Sequence, residues 1–468
     1  MRIETFFAIA TTETPIPVRT MRAGAAGARI FRASSHVSLV RLVVPRVPWV
    51  SGPWISKPWR RVRVCSRLVF TMAGVMATPE NMPPKSPRND AAPPRRYVDI
   101  GANLTDKMFQ GEYHGKRYHA PDLHRVLQRA KKTGLEIIIV TAGTLEESED
   151  AVRLVKRFDT GKSISGGGTG TGNNTDSALP TYPRLFTTVG VHPTRCDVFQ
   201  NSGDPEGYFG KLLARATERS YLLSKDNLSS KGAHDDANDA VTSTGPIVAI
   251  GECGLDYDRL EFCGKNTQLV WFERQFELSR VTKLPMFLHS RGAHGDFFSI
   301  LKKHRVAAET AGDPLPPCVV HSFDGTCEEL NDFLTLEGVY IGINGCSLRT
   351  ETSLDVVKHV PPEKLMVETD APWCSIKNTH PGAAFVDTKW QSKDKKKIYK
   401  ELEKFDLDEV EKEELDASLE NVTVKDRSEP CHVAQVVEVL ARVRGEDPHV
   451  LAETCRENTM KVFFPFGV

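Results

Sequence analysis

The chain has 468 residues, of which 40% are hydrophobic and 26% charged, so it is large enough for a substantial core and is not a small disulfide-stapled scaffold. Its 61 basic and 61 acidic residues give a formal net charge of zero, which argues against binding of a polyanion by bulk charge. That average hides an asymmetry, because residues 1–96 contain 16 basic and four acidic residues while residues 97–468 contain 45 basic and 57 acidic residues.

The basic leader, residues 1–96, has no sustained helical or alternating hydrophobic period. Its most apolar stretch, residues 37–50, is broken by Arg41 and Pro45 and falls short of the roughly 18 apolar residues of a membrane span, so we expect no membrane anchor. The composition is typical of an organelle transit peptide, while a disordered extension and a later translation start are the alternatives. We expect a soluble cytoplasmic and/or nuclear protein, or a mitochondrial or plastid protein if the leader is a transit peptide.

Eight short apolar runs then alternate with segments of helical periodicity. Apolar runs without polar alternation are typical of parallel strands that are covered on both faces. The runs are Tyr97–Ala102, Leu135–Thr141, Leu185–Val191, Ile247–Ile250, Pro285–Leu288, Cys318–Val320, Val339–Ile343 and Leu365–Val367. This alternation predicts an α/β fold, a (β/α)8 TIM barrel, with a doubly wound open sheet as the alternative.

Three polar segments interrupt the alternation and are predicted to be loop insertions, at residues 160–180, 223–245 and 376–426. Without them the body has 277 residues, close to the roughly 250 residues of one barrel, so a single domain over residues 97–468 suffices. The third insertion is rich in lysine and then in acidic residues, which favours a solvated helical excursion. Contact of its lysine-rich half with a polyanion is the alternative.

Imidazoles and carboxylates follow five of the runs, at the strand ends where barrel enzymes carry their reactive groups. They are His192, Glu252, His289, His321 and Asp370. Each residue alone could be structural or could cap a helix, but several such groups facing one pocket would be costly to bury without a cation or a substrate. The set suits a divalent cation, and the ten cysteines contain no C-x-x-C pair, which favours reduced thiols and argues against a zinc ribbon.

The segments around these residues resemble the successive signatures of the TatD family of metal-dependent deoxyribonucleases. They are Asp99-Ile-Gly-Ala-Asn-Leu-Thr-Asp106, Val189-Gly-Val-His-Pro193, Ala249-Ile-Gly-Glu-Cys-Gly-Leu-Asp256, Met286-Phe-Leu-His-Ser-Arg291, Val319-Val-His-Ser-Phe323 and Val367-Glu-Thr-Asp-Ala-Pro372. The resemblance runs from Tyr97 to Phe464 apart from the insertions. It is greatest to the eukaryotic TatD-domain deoxyribonuclease 1 branch, through Asn344-Gly-Cys-Ser347 and Ala371-Pro-Trp-Cys374 among others. The resemblance implies a TIM barrel of the metal-dependent hydrolase type.

The resemblance also implies a metal-ligand set of Glu252, His289, His321 and Asp370, with one or two divalent cations per chain. Mg²⁺ is the first expectation, and Mn²⁺ or Zn²⁺ are the alternatives. We hypothesise that Asp370 also takes the proton from the attacking water, so that Asp370, Glu252 and His192 form the catalytic set. Many relatives carry His-x-His after the first strand, whereas Gly101 and Asn103 occupy these positions here, which implies one weaker metal position.

The predicted substrate contacts are His192, which the resemblance implies, together with Arg291, Asn103 and Trp373. His192 and Arg291 would position the scissile phosphate, Arg291 through a bidentate fork, and Trp373 would stack on an unpaired base. The alternatives are a carboxylate partner for Arg291 and core packing for Trp373.

We therefore expect a monomeric metal-dependent deoxyribonuclease, a 3′-5′ exonuclease on single-stranded DNA. Two other functions stay open. One is an amidohydrolase or phosphotriesterase-like hydrolase of a small molecule, which would use the same barrel and ligand types. The other is a non-catalytic, metal-bound nucleic-acid-binding module.

Overall fold

The computed structural model describes residues 94–158, 181–222, 245–398 and 418–468. The elements below belong to one compact unit within residues 79–468. The expectations for the leader up to residue 93, and for almost all of the insertions at 160–180 and 223–245, lie outside the described residues. Within the described ranges, no helix is both long enough and apolar enough to cross a membrane.

Eight parallel strands form one sheet, and their spatial order follows the chain order. They are β1 (Tyr97–Ala102), β2 (Leu135–Val140), β3 (Arg184–Val189), β4 (Ile247–Asp256), β5 (Met286–Arg291), β6 (Cys318–Val320), β7 (Val339–Ile343) and β8 (Leu365–Val367). Each strand contains most or all of one predicted apolar run. The predicted TIM barrel is therefore confirmed, and the alternative of a doubly wound open sheet is wrong because the strands do not change order at a switch point.

The first and the last strand meet beyond their carboxyl ends. Ala102 and Ala371 form a parallel bridge. The backbone N–H of Asp370 donates to the carbonyl of Gly101 at 2.8 Å, and the N–H of Asn103 donates to the carbonyl of Ala371 at 2.6 Å. These bonds form a seam that closes the barrel beside Asp370.

Ten α-helices in the described residues surround the sheet. They are α1 (Leu123–Thr133), α2 (Leu145–Phe158), α3 (Asp197–Asn201), α4 (Pro205–Glu218), α5 (Lys265–Thr282), α6 (His294–Thr310), α7 (Cys327–Leu334), α8 (Glu351–Lys358), α9 (Val433–Arg444) and α10 (Pro448–Phe463). Their ends have local chemical causes. Helix α7, for example, begins with a capping box in which Thr326 and Glu329 satisfy each other's backbone N–H groups. The buried stripe of α5 includes Trp271, Phe272 and Phe276, which pack on the outside of the sheet.

The barrel interior is a packed core. Alternate residues of the strands point inward, such as Val98 and Ile100 of β1, because successive side chains of a strand face opposite sides. Phe463 and Phe464 at the end of α10 belong to the same core. Phe287 of β5 is fully buried, and its ring stacks on the imidazole of His321 with ring centroids 4.5 Å apart. The interior is therefore filled up to the level of the polar residues at the strand ends.

The described part of the insertion at 376–426 is folded, which differs from the expected solvated helical excursion. Two short strands, β9 (Gln391–Lys393) and β10 (Val422–Val424), pair in parallel. Ile398 and the valines of β10 pack against Tyr113, which belongs to a short antiparallel pair of strands after β1 (Glu112–Tyr113 and Lys116–Arg117). This packing buries apolar surface that a solvated helix would leave exposed. Residues 399–417 lie outside the described residues.

A buried ionic network attaches the end of this insertion to α1. Arg427 donates to both carboxylate oxygens of Asp122, at 2.8 and 2.6 Å, and to Glu429 at 2.9 Å. Arg129 of α1 donates to the other oxygen of Glu429 at 2.8 Å. Burial opposes ionisation of Glu429, but the two guanidinium groups lower the pKa of this carboxyl to about 2.

Candidate metal centre

One carboxylate oxygen lies at the centre of the site. The Oε1 atom of Glu252 is 2.7 Å from Nε2 of His321, 2.8 Å from Nδ1 of His289 and 3.3 Å from Nε2 of His192. The three imidazoles follow β3, belong to β5 and follow β6, so the barrel brings side chains from separate strands to one point. Burial opposes ionisation of Glu252, but the neighbouring histidines hold the pKa of its carboxyl well below the ordinary value.

A second carboxylate stands behind His289. Nδ1 of His289 faces Glu252, while Nε2 of His289 lies 3.3 Å from Oδ2 of Asp256 at the end of β4. The other oxygen of Asp256 accepts the backbone N–H of Asp258 at 3.1 Å, which fixes the carboxylate. A carboxylate behind an imidazole sets the ring orientation and makes the opposite nitrogen a better metal ligand.

His321 has the same arrangement. Its Nε2 faces Glu252, while its Nδ1 lies 3.5 Å from Oε1 of Glu368. That oxygen accepts the N–H of Ser322 at 2.5 Å and the side-chain amide of Asn344 at 3.2 Å. Burial opposes protonation of His321, but the carboxylates of Glu252 and Glu368 raise its pKa well above the ordinary value.

His192 is oriented differently. Its Nδ1 accepts the backbone N–H of Thr194 at 3.2 Å and lies 2.7 Å from the hydroxyl of the same residue. A neutral ring with an accepting Nδ1 carries its proton on Nε2, and Nε2 is the atom that faces Glu252. Burial lowers the pKa of His192, which favours this neutral ring. His192 therefore presents a hydrogen-bond donor to the pocket, whereas a metal ligand would present a lone pair.

Asp370, which follows β8, is held at both carboxylate oxygens. Its Oδ1 accepts the side-chain amide of Asn103 at 2.9 Å, and its Oδ2 accepts the thiol of Cys374 at 3.1 Å. Asn103 is itself fixed, since its oxygen accepts the hydroxyl of Thr141 at 2.7 Å. Burial raises the pKa of Asp370, with a smaller opposing effect of His321. The structure thus places Asn103, predicted as a substrate contact, against Asp370.

The position of Gly101 has no room for a side chain. A Cβ atom there would lie 2.7 Å from Oε2 of Glu368 and 2.8 Å from the ring of Phe287. The Glu368 carboxylate and the Phe287 ring therefore crowd the space that a first-strand histidine would need. This explains in physical terms why the chain lacks the first half of a His-x-His pair.

The two remaining predicted contacts lie at strand ends, since Arg291 is the last residue of β5 and Trp373 follows β8. Nη2 of Arg291 is 3.8 Å from Oδ2 of Asp324, which is also 3.7 Å from Arg349. The alternative of a carboxylate partner for Arg291 is thus observed, although both distances are too long for a tight hydrogen bond. Trp373 is 49% exposed, so the alternative of core packing is wrong.

The donor set fits a divalent cation. Single atoms of His192, Glu252 and His289 lie within 4.8 Å of one another. Nδ1 of His289 and Nε2 of His321 both face Oε1 of Glu252, and imidazoles packed on a carboxylate in this way suit a cation that replaces the protons between them. Because Nδ1 of His192 accepts a hydrogen bond, we favour His321 over His192 as a ligand.

Sequence reasoning missed Asp256 and Glu368 as members of the site. A usable signal existed, because Asp256 is four residues after Glu252 and Glu368 is two residues before Asp370. Both carboxylates could therefore have been placed beside the predicted ligands.

A parallel eight-stranded barrel with imidazoles and carboxylates gathered beyond its strand ends defines a TIM-barrel hydrolase with a possible divalent-metal site. The family model of TatD related DNases matches residues 98–464, and the chain belongs to this family, as its motifs predicted.

The relatives match over most of their length. Deoxyribonuclease Tat-D of Schizosaccharomyces pombe is 34% identical over 369 residues, which cover 78% of this chain and 95% of that protein. A Citrobacter koseri protein named 3′-5′ ssDNA/RNA exonuclease TatD is 27% identical over 368 residues, which cover 78% of this chain and 98% of that protein. The crystal structure of a TatD-family hydrolase from Entamoeba histolytica is 31% identical with a TM-score of 0.58, and the match covers 80% of this chain and 100% of that chain.

Proposed function

We propose that this TatD-family hydrolase is a metal-dependent deoxyribonuclease that removes nucleotides from the 3′ end of single-stranded DNA. The observation that carries the proposal is the single oxygen of Glu252 that three imidazoles approach within 3.3 Å. Family membership supports hydrolysis of phosphodiester bonds, and the printed name of the Citrobacter koseri relative supports the polarity and the single-stranded substrate.

We propose that Glu252, His289, His321 and Asp370 hold one or two divalent cations. Mg²⁺ is our first choice because carboxylate oxygens contribute half of this ligand set, and Mn²⁺ and Zn²⁺ are the alternatives because imidazoles contribute the other half. When bound, the cation supplies a water with a lowered pKa and compensates the charge of the phosphate oxygens. Glu252 contacts both imidazoles of the set, so it is the residue best placed to be shared between two ions.

The chain's own residues would then carry out the proton transfers and the positioning. Asp370 accepts the proton of the attacking water, a role supported by burial, which raises the pKa of its carboxyl. The Nε2–H group of His192 donates to a non-bridging phosphate oxygen. Arg291 contacts the same phosphate once it leaves Asp324. The exposed indole of Trp373 stacks on an unpaired base, a contact worth about 1–3 kcal/mol.

The test is the digestion of a 5′-labelled single-stranded oligonucleotide with and without a chelator. We expect a ladder that shortens one nucleotide at a time and disappears with the chelator. Asp370→Asn should lower the rate at least about 100-fold, the usual contribution of a positioned acid or base. Asp426→Asn is the matched control, because Asp426 is an exposed aspartate that shares the left-handed backbone of Asp370.

Other outcomes of this experiment would refute the proposal. Full activity of Asp370→Asn with unchanged metal content would remove Asp370 from the mechanism. Random internal cuts would indicate an endonuclease. Hydrolysis confined to small amides or phosphotriesters would support the small-molecule hydrolase. Tight DNA binding without turnover at any divalent cation would support the non-catalytic binding module.

We propose further that the protein is a monomer in the cytoplasm and/or the nucleus. A mitochondrial or plastid location is the alternative if the arginine-rich leader is a transit peptide. The mass of the native N-terminus and sedimentation of the purified protein test these two proposals. A mature chain that begins near residue 79 and fractionates with organelles would favour the alternative.

A further inference from the structure

Two cysteine thiols outside the proposed ligand set lie beside Asp370. The sulfurs of Cys346 and Cys374 are 2.7 Å apart, and the thiol of Cys374 donates to Oδ2 of Asp370 at 3.1 Å. Cys346 lies in the loop after β7 and Cys374 in the loop after β8, and both are free thiols. A relay of sulfur contacts thus leads from one loop to the carboxylate of Asp370.

The backbone holds these two loops together. A Cβ atom on Gly345 would lie 2.0 Å from the carbonyl oxygen of Cys374, so only glycine permits this close approach. Arg349 donates to the carbonyl of Cys346 at 3.3 Å, which fixes the other side of the loop. The two sulfurs therefore face each other because of the fold and need little movement to form a bond.

Accessibility distinguishes this pair from Cys196 and Cys263, a second pair of neighbouring thiols in the described residues. Cys346 and Cys374 are both half-buried, so a small oxidant can reach them. Cys196 and Cys263 also share a hydrogen bond, but each is only 1% exposed. The hydrogen bond with Cys374 lowers the pKa of the Cys346 thiol against the effect of burial, and Arg349 acts in the same direction as that hydrogen bond.

We propose that Cys346 and Cys374 are an oxidation site for peroxides, which joins them in a disulfide and thereby reduces metal binding at Asp370. The Cys346 sulfur attacks one oxygen of hydrogen peroxide, the O–O bond breaks, and a sulfenic acid and one water form. The Cys374 sulfur then attacks the sulfenic sulfur, the S–S bond forms, the S–O bond breaks, and a second water leaves. Two thiols are oxidised and one peroxide is reduced to two waters.

Oxidation reaches the metal centre through one hydrogen bond. Once Cys374 is in a disulfide it has no proton, so Oδ2 of Asp370 loses its donor. Loss of a hydrogen-bond partner behind a metal ligand typically lowers metal affinity about 10- to 100-fold. We expect cation affinity to fall by this factor on oxidation. The fall in cation affinity rests on the proposed metal ligands, and the loss of nuclease activity rests on the proposed nuclease, whereas the disulfide rests on neither.

The experiment treats the full chain with one to a few equivalents of hydrogen peroxide and then measures three quantities. Alkylation under denaturing conditions followed by peptide mass mapping should detect a Cys346–Cys374 disulfide, with Cys196 and Cys263 still alkylated. Titration with Mn²⁺ should give an affinity about 10- to 100-fold weaker than that of the reduced protein. Dithiothreitol should reverse both changes, and nuclease activity should follow the cation affinity.

Variants separate oxidation of the pair from general damage. Cys346→Ser should keep the Mn²⁺ affinity of the reduced protein and lose its response to peroxide. Cys327→Ser replaces a half-buried thiol on α7 outside the pair, and its Mn²⁺ affinity should respond to peroxide as that of the unsubstituted chain does. The proposal is overturned if the pair stays alkylated, or if the disulfide forms and Mn²⁺ affinity does not change. A chain that forms the disulfide, weakens its cation and cuts no DNA would instead refute the proposed function.

Discussion

Replacing Glu368 with Gln would remove a negative charge from behind His321 with little change in shape. Glu368 is fully buried, and its Oε1 accepts hydrogen bonds from Ser322 and Asn344. A glutamine oxygen in the place of Oε1 can keep both bonds. The substitution therefore changes mainly the charge that faces Nδ1 of His321 across 3.5 Å.

The expected effect is weaker cation binding. Loss of a carboxylate behind a metal-bound imidazole lowers metal affinity about 10- to 100-fold, which corresponds to about 1.4–2.7 kcal/mol. Calorimetric titration of Glu368→Gln with Mn²⁺ should show this loss, and nuclease activity should return when the cation is raised in proportion. Glu363→Gln is the matched control, because Glu363 is exposed and precedes β8.

Two results would refute this reasoning. An unchanged Mn²⁺ affinity in Glu368→Gln would mean that the carboxylate does not act on His321. An equal loss in Glu363→Gln would mean that overall charge, and not the position behind the ring, controls binding. Thermal unfolding without cation checks that the variant is folded.

Three further predictions concern the surroundings of the site. Gly101→Ala should lower the Mn²⁺ affinity, and it should lower the free energy of unfolding by about 1–3 kcal/mol, because the new Cβ would lie 2.7 Å from Glu368. A urea titration that gives the parent's free energy of unfolding would contradict this. Asn103→Ala should slow DNA cleavage about 10- to 100-fold by removing the donor to Asp370, and equal rates would show that this hydrogen bond is dispensable. Glu429 has a pKa of about 2 against an ordinary 4.5, so its stabilisation of about 3 kcal/mol should be present above pH 4.5 and lost as the pH falls towards 2. Urea titrations of the parent chain should show the free energy of unfolding falling between pH 4.5 and pH 2, and this pH dependence should be absent in Glu429→Gln.

The strands were predictable because each is a buried apolar run, and the exception has a physical cause. The fourth strand was predicted as Ile247–Ile250 but continues to Asp256. The polar Glu252 favours a strand end at Ile250, whereas in the structure the strand continues and the Glu252 side chain faces His289 and His321. Similarly, charge in the third insertion favoured a helix, although Val422 and Val424 are two residues apart and bury one face of a strand.

The motifs predicted where the candidate residues lie along the chain, but they did not predict the carboxylates behind the histidines or the orientation of the rings. Motif order indicated which strand end carries each residue, and the structure brings Glu252 together with three histidines. The sequence does not specify which ring nitrogen faces inward, since that depends on partners from other strands. The hydrogen bond between Asn103 and Asp370 joins residues 267 positions apart, and only the closed barrel makes them neighbours.

The seam between β1 and the residues after β8 also determines how much of the chain must be synthesised before the site can form. Asp370 is held by the carbonyl of Gly101 and the amide of Asn103, which are translated long before it. A ribosome-bound chain that has not yet released residues 370–371 therefore has neither the bonds that close the barrel nor all four of the proposed metal ligands. Every shortened product that ends before this point should be unable to assemble the centre, so a truncated or prematurely terminated chain cannot cut nucleic acid through it.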